Sequence, residues 1–448
     1  MTGDRPAVSV HDVDGILAWG RVHRGRPRVA APGWPGDVAA AARASAAGSN
    51  TLARGFGRSY GDSGLNLGGG LVDMTGLDRV LAFDREAGVL RADAGMSLEA
   101  VLRLVVPAGW FLPVTPGTKF VSLGGAVAND VHGKNHHVAG CFGRHVRRLG
   151  LWRSDRGLVE CAPDTEPELF AATVGGLGLT GVMIWVEFAL IPIAASAMAV
   201  ENERFEGLDD FFRLSEDGAD WPYTVAWVDT LASGSRLGRG VFSRGRPATT
   251  GPLTPHRPGG PTVPVTVPGF LLNRWTVGAF NRLYHAKPGS AFSGEQPYDP
   301  FFYPLDRIRN WNRLYGPRGF YQWQGVVPPT LARDAVRTLL ERIARSGEAS
   351  FLAVLKNFGD LESPGLMSFP AAGTTLALDF PNRGARTLAL LADLDRVVAE
   401  AGGRLYPAKD GRLPGAEFRR GYPAWRNLER LRDPMLMSSF WRRVSQGE

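Results

Sequence analysis

The stretch Ala53-Arg54-Gly55-Phe56-Gly57-Arg58-Ser59-Tyr60-Gly61-Asp62 follows the apolar Leu52 and packs glycines and two arginines into one turn. Glycines this close together let successive backbone N–H groups converge on one point, a geometry that suits a phosphate or pyrophosphate. Arg54 or Arg58 would add positive charge there. A Rossmann dinucleotide turn runs straight into an amphipathic helix. This one continues through Asp62-Ser63-Gly64-Leu65-Asn66 and Gly68-Gly69-Gly70 into Leu71-Val72-Asp73-Met74, which reads as strand, turn, strand. On this segment alone, a glycine-rich hairpin without a ligand is the competing reading.

Two further glycine-rich crossings follow. Pro116-Gly117-Thr118 leads to Ser122-Leu123-Gly124-Gly125-Ala126-Val127-Ala128-Asn129-Asp130-Val131-His132-Gly133-Lys134-Asn135-His136-His137. The next is Gly175-Gly176-Leu177-Gly178-Leu179-Thr180-Gly181-Val182. A long ligand lying across several backbones needs several close approaches of this kind.

At 448 residues the chain has room for two or three domains. Its 44% hydrophobic and 21% charged residues fit a globular protein with a full core. A net charge of +7 favours anionic partners such as phosphates or anionic lipid. The basic residues are scattered and no zinc-ligand pattern occurs, so nucleic-acid binding is not expected. Cys141 and Cys161 form neither Cys-x-x-Cys nor metal spacing and read as free core thiols. The start, Met1-Thr2-Gly3-Asp4-Arg5-Pro6, lacks the basic-then-apolar pattern of a signal peptide. Residues 177–200 are almost wholly apolar, but Glu187, Pro192 and the β-branched content predict a buried strand and not a membrane span.

Helices are predicted near 35–44, 98–104 and 166–172, each with polar or acidic residues at its start. After about residue 196 the character changes. Strands are expected at 224–229 and 321–327, and helices at 330–346 and 385–401. The Pro/Thr/Gly-rich stretch 248–268 reads as a mobile surface loop or lid. Phe270-Leu271-Leu272-Asn273-Arg274-Trp275-Thr276-Val277 reads first as part of a core helix, with a lipid or substrate-tail contact as the alternative.

The patterns Ala-Arg-Gly-x-Gly-Arg-Ser-Tyr-Gly-Asp, Pro-Gly-Thr and Gly-Gly-Ala-x-Ala-x-Asp-x-His-Gly-Lys-Asn-His-His resemble the FAD domain of vanillyl-alcohol-oxidase (PCMH-type) flavoproteins. Within that superfamily the chain is most similar to the decaprenylphosphoryl-β-D-ribose 2′-oxidase family, the flavin half of a ribose-to-arabinose epimerase. The similarity continues in 351–359 and in 402–410, which holds Ala408-Lys409-Asp410. It therefore covers nearly the whole chain.

The resemblance implies an α+β fold. Residues 1–195 would form a PCMH-type FAD-binding domain, completed by 403–448. Residues 196–402 would form an antiparallel-sheet substrate domain with flanking helices. FAD would contact Ala53, Arg54, Gly55, Phe56, Gly57, Arg58, Ser59, Tyr60 and Gly61. Pro116, Gly117, Thr118, Ser122, Gly124, Gly125, Ala128, Asn129, His132, Gly133 and Asn135 would contact it too, as would Gly178, Thr180, Gly181, Val182, Tyr406 and Lys409. Many relatives bind the flavin covalently through a histidine in the first loop. Here Arg58-Ser59-Tyr60 holds none, which implies a non-covalent flavin.

His132, His136 and His137 invite a metal reading, but Gly133 and Gly140 disfavour a helix and no carboxylate completes a set, so no metal is expected. The resemblance instead sets His132 against the flavin. Lys356 and Lys409 sit in apolar segments. Such a lysine either snorkels to water or, desolvated, acts as a base or binds an anion. The resemblance makes Lys409 the catalytic base, with Tyr60 second. It places Trp227, Gln322, Gln324, Lys356, Phe358 and Lys134 around the substrate. It also places Thr375 and Ala377 there, where the family carries Asn and Cys. The implied activity is oxidation of a sugar's secondary hydroxyl to a ketone; a soluble polyol, aldonolactone or glycoside is the alternative substrate. Implied partners are a polyprenyl-phosphate sugar, a separate NADH-dependent short-chain reductase, and quinone or oxygen as acceptor. The location would be cytoplasmic or peripheral to the inner membrane.

Overall fold

The computed structural model describes residues 8–256 and 259–446. The first residues, read above for a leader, lie outside that range, as do residues 257 and 258 within the Pro-rich stretch. Short β-branched runs between glycine turns build three principal sheets. The first holds β1 (Val10–Asp12), β2 (Arg28–Ala30), β3 (Ala53–Arg54) and β4 (Gly70–Asp73) in the order β1-β2-β4-β3. β4 runs parallel to β2 and β3, and helix α1 (Val38–Ala46) supplies a crossover of the kind parallel strands need. The deciding stretch therefore leaves a strand and returns to one, with no helix after it.

The second sheet is antiparallel: β5 (Val80–Asp84), β6 (Val89–Asp93), β7 (Val146–Arg153), β8 (Gly157–Cys161) and β9 (Val182–Ala189), in the order β8-β7-β9-β6-β5. The apolar run at 177–200 does not form one strand: its centre is β9, paired on both sides and buried along most of its length, and after a two-residue strand at Ile191–Pro192 its last residues begin the next long strand, Ala197–Phe205. Among the described residues no helix is long and apolar enough to cross a membrane. α2 (Leu98–Val105) starts at Ser97, whose Oγ accepts from Ala100 N at 3.1 Å. α3 (Leu123–Ala128) starts the same way at Ser122, with Gly125 N as donor. A Cβ at Gly124 would lie 3.2 Å from Ala94 O, so glycine lets α3 sit close against the end of β6. α4 (Pro167–Thr173) matches the helix expected at 166–172.

The third sheet has eight strands: β10 (Ala197–Phe205), β11 (Tyr223–Val228), β12 (Gly240–Pro247), β13 (Phe292–Pro297), β14 (Phe320–Val327), β15 (Ala353–Phe358), β16 (Gly373–Pro381) and β17 (Arg404–Leu405). Their order is β13-β10-β12-β11-β15-β16-β14-β17, antiparallel throughout. Period-two alternation divides its side chains. On one face Ala226, Phe242, Trp323, Leu355, Leu376 and Leu378 enter a core shared with α5 (Leu208–Asp217), α7 (Ala332–Ser346) and α8 (Ala385–Glu400), whereas α6 (Arg274–Ala286) contributes nothing to that core. On the other face Trp227, Val354, Ala377 and Gln324 align across four strands, as the pairings Trp227–Val354, Val354–Ala377 and Ala377–Gln324 require.

α6 departs from expectation. Only Val277 and Asn281 are buried along it, whereas Trp275 and Leu283 are each 72% exposed. The helix is held by polar bonding, with Asn281 Nδ2 donating to Asp229 Oδ1 at 2.7 Å, and not by core burial of its large apolar residues. The described part of the Pro-rich stretch forms neither helix nor strand. It is tied down where Arg313 Nη1 donates to the Val263 and Pro264 carbonyls.

After β17 the chain crosses back to the first sheet. Thr51 forms an isolated bridge to Leu436. Arg443, in the last helix α9 (Ser439–Gln446), pairs with Asp62 at 2.7 Å and Asp410 at 3.1 Å. The first glycine loop and the segment carrying Lys409 are thereby clamped together by one guanidinium.

Candidate active site

A cavity of about 750 Å³ lies between the glycine loops and the exposed face of the eight-stranded sheet. At one end its wall is backbone. Gly55, Gly57, Gly117, Gly125, Gly178 and Gly181 all line it. A Cβ added at Gly117 or Gly178 would meet no protein atom within 4 Å, so these peptides are open to a ligand. The arginines serve the loop itself. Arg54 donates to the Leu17 and Gly64 carbonyls at 2.8 and 3.0 Å. Arg58 donates to Phe120 O at 3.2 Å, and its guanidinium lies 4.0 Å over the Trp19 ring. Both guanidiniums are therefore engaged with the protein's own carbonyls and the Trp19 ring, and this end of the cavity is walled chiefly by backbone.

The other end carries the titratable groups. β15 aims Lys356 at His132: Lys356 Nζ lies 2.9 Å from His132 Nδ1 and donates to Gly133 O at 3.0 Å. β14 brings Gln324 Nε2 to 3.2 Å from both His132 Nε2 and Thr375 Oγ1. Burial, then the Lys356 charge, holds His132 well below the ordinary imidazole range. A neutral ring has one N–H and one acceptor. Thr375 Oγ1 gives its proton to Gly325 O, so Gln324 Nε2 is the donor to it and to His132 Nε2; the ring N–H is then at Nδ1 and donates to a neutral Lys356 amine. Burial lowers Lys356 to about 7, which makes the neutral amine accessible near neutral pH. Lys134 is likewise lowered to about 7 by burial, and donates to Phe301 O at 2.5 Å.

Lys409 stands apart. Its Nζ lies 4.1 Å over the Tyr60 ring, and Tyr60 N donates to Ala408 O at 2.9 Å. Burial lowers its pKa to about 8, with Asp379 opposing the shift. Asp379 is itself pushed up to about 7 by burial. It accepts from Gln322 Nε2 at 2.6 Å and from Tyr315 OH at 3.3 Å. Burial and the Asp379 charge raise the Tyr60 phenol well above its ordinary value, so Tyr60 stays protonated.

The cavity brings together Ala53 to Tyr60, Pro116 to Thr118, Ser122, Gly124, Gly125, Ala128, Asn129, His132, Gly133, Gly178, Gly181, Tyr406 and Lys409. Lys134, Trp227, Gln322, Gln324, Lys356, Thr375 and Ala377 line it as well. Five expected residues do not. Gly61 packs on the Asp410 backbone. Thr180 bonds Thr173 at 2.8 Å and Val182 enters a hydrophobic cluster. Asn135 Nδ2 donates to Pro113 O. Phe358 meets His132 edge to face, ring centroids 4.8 Å apart. Sequence reading missed Trp19, Asn202, Val225, Val241, Ser243 and Tyr284 on the wall, and Asp379 behind Gln322. For Asp379 a signal existed, since 375, 377 and 379 share one strand face.

Residues 27–162 match the family described as an FAD binding domain. Over 94% of both chains the sequence is 37% identical to decaprenylphosphoryl-beta-D-ribose oxidase of Mycolicibacterium smegmatis. It is 35% identical to an uncharacterized protein in the mprA 5′ region of Streptomyces coelicolor, over 75% of this chain and 95% of that one. A human Delta(24)-sterol reductase is 26% identical over 30% of this chain and 26% of its own. With the amide-walled cradle and the Lys–His cluster, these matches define an FAD-dependent oxidoreductase of α+β, PCMH-type fold. Within that class the chain belongs to the family of decaprenylphosphoryl-beta-D-ribose oxidase.

Proposed function

We propose that the protein oxidises a secondary hydroxyl of a polyprenylphosphoryl pentose to the ketone, with Lys409 as the base. FAD, which would be held non-covalently by the backbone of Gly55 to Tyr60, Gly117, Gly125, Gly178 and Gly181, supplies the two-electron acceptor when bound. The carrying observation is the difference between the lysines. Lys356 is fixed on His132 and Gly133 O, whereas among the described residues no hydrogen-bond acceptor holds Lys409 Nζ. A cavity-lining amine with a pKa of about 8 is suited to take the hydroxyl proton near neutral pH. Lys356, through His132 and Gln324, fixes the polar wall against which the ring is oriented. Lys134 offers positive charge to the substrate phosphate.

The lipid-linked substrate is supported by the rest of the wall. Beyond Lys356 the sheet face carries Val225, Trp227, Val241 and Val354, crosses the mutually hydrogen-bonded Ser243–Asn202 pair and reaches Phe292 near Tyr284. A prenyl chain has somewhere to lie. In this reading quinone or oxygen would be the final electron acceptor, and a separate NADH-dependent reductase would consume the ketone. The protein acts peripherally at a membrane. The second reading, a water-soluble polyol, aldonolactone or glycoside, draws on Thr375 and Ala377, which alter the pocket relative to the family pattern.

Anaerobic mixing of the FAD-loaded protein with a substrate panel tests the choice. Bleaching of the oxidised-flavin band by the polyprenylphosphoryl pentose, and not by free sugars or lactones, is expected. Bleaching by the soluble compounds alone would overturn the lipid-linked reading.

A further inference from the structure

We infer that the outer face of α6, with the turn before it, is a docking surface for an anionic lipid bilayer and that the cavity mouth opens beside it. The helix has two opposed stripes. Val277 and Asn281 face inward and are buried, and Tyr284 packs on Trp227 with ring centroids 4.7 Å apart. Trp275, Ala279 and Leu283, spaced at i, i+4 and i+8, face outward. Trp275 and Leu283 are 72% exposed and Phe270, just before the helix, 75%. Large apolar side chains grouped this way on a soluble surface mark a contact site.

The charge pattern says which occupant. From Thr230 to Gly294 the sequence holds eight Lys and Arg residues and no Asp or Glu. Arg274, Arg282 and Lys287 flank the apolar stripe. Their contacts are the Trp275 ring, the Gly278 carbonyl and the Tyr284 ring, with no carboxylate partner among the described residues. A second copy docking by this face would set the same cations against themselves, because an isologous contact pairs like with like. An anionic bilayer meets both requirements at once: its headgroups neutralise the rim and its acyl region receives the Trp and Leu. At 13 residues, α6 is too short to span a hydrocarbon core of about 30 Å and would lie in the interface plane.

The inner side of the same helix connects to the site. Tyr284, Lys287, Gly289 and Phe292 line the cavity. A lipid-linked sugar would then pass from bilayer to cavity without exposing its prenyl chain to water. That consequence rests on the lipid-linked reading of substrate; the docking itself does not.

Co-sedimentation of the FAD-loaded full chain with vesicles decides it, using phosphatidylcholine alone against phosphatidylcholine with phosphatidylglycerol. Binding is expected only with the anionic vesicles and should weaken with added salt. The double variant Trp275→Ser/Leu283→Ser, and separately Arg274→Glu/Arg282→Glu, should each lower partitioning by about tenfold or more. Trp275→Phe should restore most of it. Flavin absorbance and far-UV circular dichroism should be unchanged in all. No binding, or equal binding to neutral vesicles, overturns the inference. So does intact vesicle binding in variants whose sedimentation velocity shows a lost dimer, which would make the face a protein contact. Vesicle binding together with turnover of soluble sugars only would sink the lipid-linked substrate and leave the docking surface standing.

Discussion

Replacing Gly61 with alanine tests whether the first glycine loop and the segment carrying Lys409, the proposed base, are one mechanical unit. A Cβ at Gly61 would collide with the Asp410 carbonyl and lie 2.7 Å from Gly411 N. Backbone of a returning segment cannot swing aside as the tip of a long side chain can. The two segments must part by more than about 1 Å to reach ordinary contact, and a misplacement of about 1 Å in a reacting constellation costs on the order of 10²-fold in rate. Parting them also strains the Tyr60 N to Ala408 O bond of 2.9 Å and the Arg443 clamp on Asp62 and Asp410. Overpacking of this kind destabilises by about 1–3 kcal/mol. Lys409 would leave its place over Tyr60, while the outer cradle at Gly117 and Gly178 is untouched. The assay is stopped-flow reduction of the bound flavin under anaerobic conditions, beside an FAD titration. The expected result is a rate lowered about 100-fold with FAD affinity lowered far less. A Gly61→Ala protein that reduces its flavin at the parental rate and unfolds at the parental temperature would refute the clamp.

The rate of flavin reduction should rise with pH through about 8, because the base must be neutral and burial sets Lys409 there; Lys409→Met should lose about 10²–10⁴-fold and abolish that limb. Asp379 raises the Lys409 pKa, so Asp379→Asn should move the limb to lower pH by about one unit, read from the same profile. A shift to higher pH would show that Asp379 acts otherwise. Acid precipitation of the yellow protein should leave the pigment in the supernatant; a yellow pellet would refute non-covalent binding. Binding an anionic ligand stabilises the charged forms of Lys134, Lys356 and Lys409, whose pKa values of about 7, 7 and 8 are lowered by burial, so proton uptake should accompany binding near neutral pH. Titration calorimetry in buffers of different ionisation enthalpy measures it, and zero uptake would contradict the electrostatics.

What sequence could reveal depended on how far a signal reaches along the chain. The glycine loops were legible because each is a local φ and close-approach requirement, and all three reach the cavity. Gln322 and Gln324 were legible because period-two alternation is local too. Asn202, Ser243 and Val241 were not: their place on the wall follows from the β10–β12 and β11–β12 registers, which no single segment encodes. The arginines show the opposite limit. Arg54 and Arg58 carry the charge a phosphate loop wants, but composition does not say that Leu17, Gly64 and Phe120 present the carbonyls that take their donors. α6 was read first as core because its apolar content is high. Its outward stripe at 275, 279 and 283 was already in the sequence, and what was missing was which stripe the sheet would cover.

The same register places the two positions where the resemblance implies a departure from the family pattern. Thr375 lies opposite both Lys356 and Val326, and Ala377 opposite Gln324 and Val354. Thr375 Oγ1 accepts from Gln324 and donates to Gly325 O at 2.8 Å, so its hydroxyl orients the amide that faces His132. An asparagine there would reach further into the cavity and contact the substrate itself. A threonine keeps its polar atom within the wall and acts on substrate only through Gln324 and His132. Ala377 lowers the floor beside it. Lys356 and His132 bond each other directly and need neither side chain, and Lys409 is held from the far side by Tyr60 and the Arg443 clamp. In the proposed mechanism proton abstraction is thus insulated from positions 375 and 377, while the space for the sugar ring is not. Differences in substrate choice within the family should map to positions 375 and 377, and differences in the pH dependence of turnover to the surroundings of Lys409.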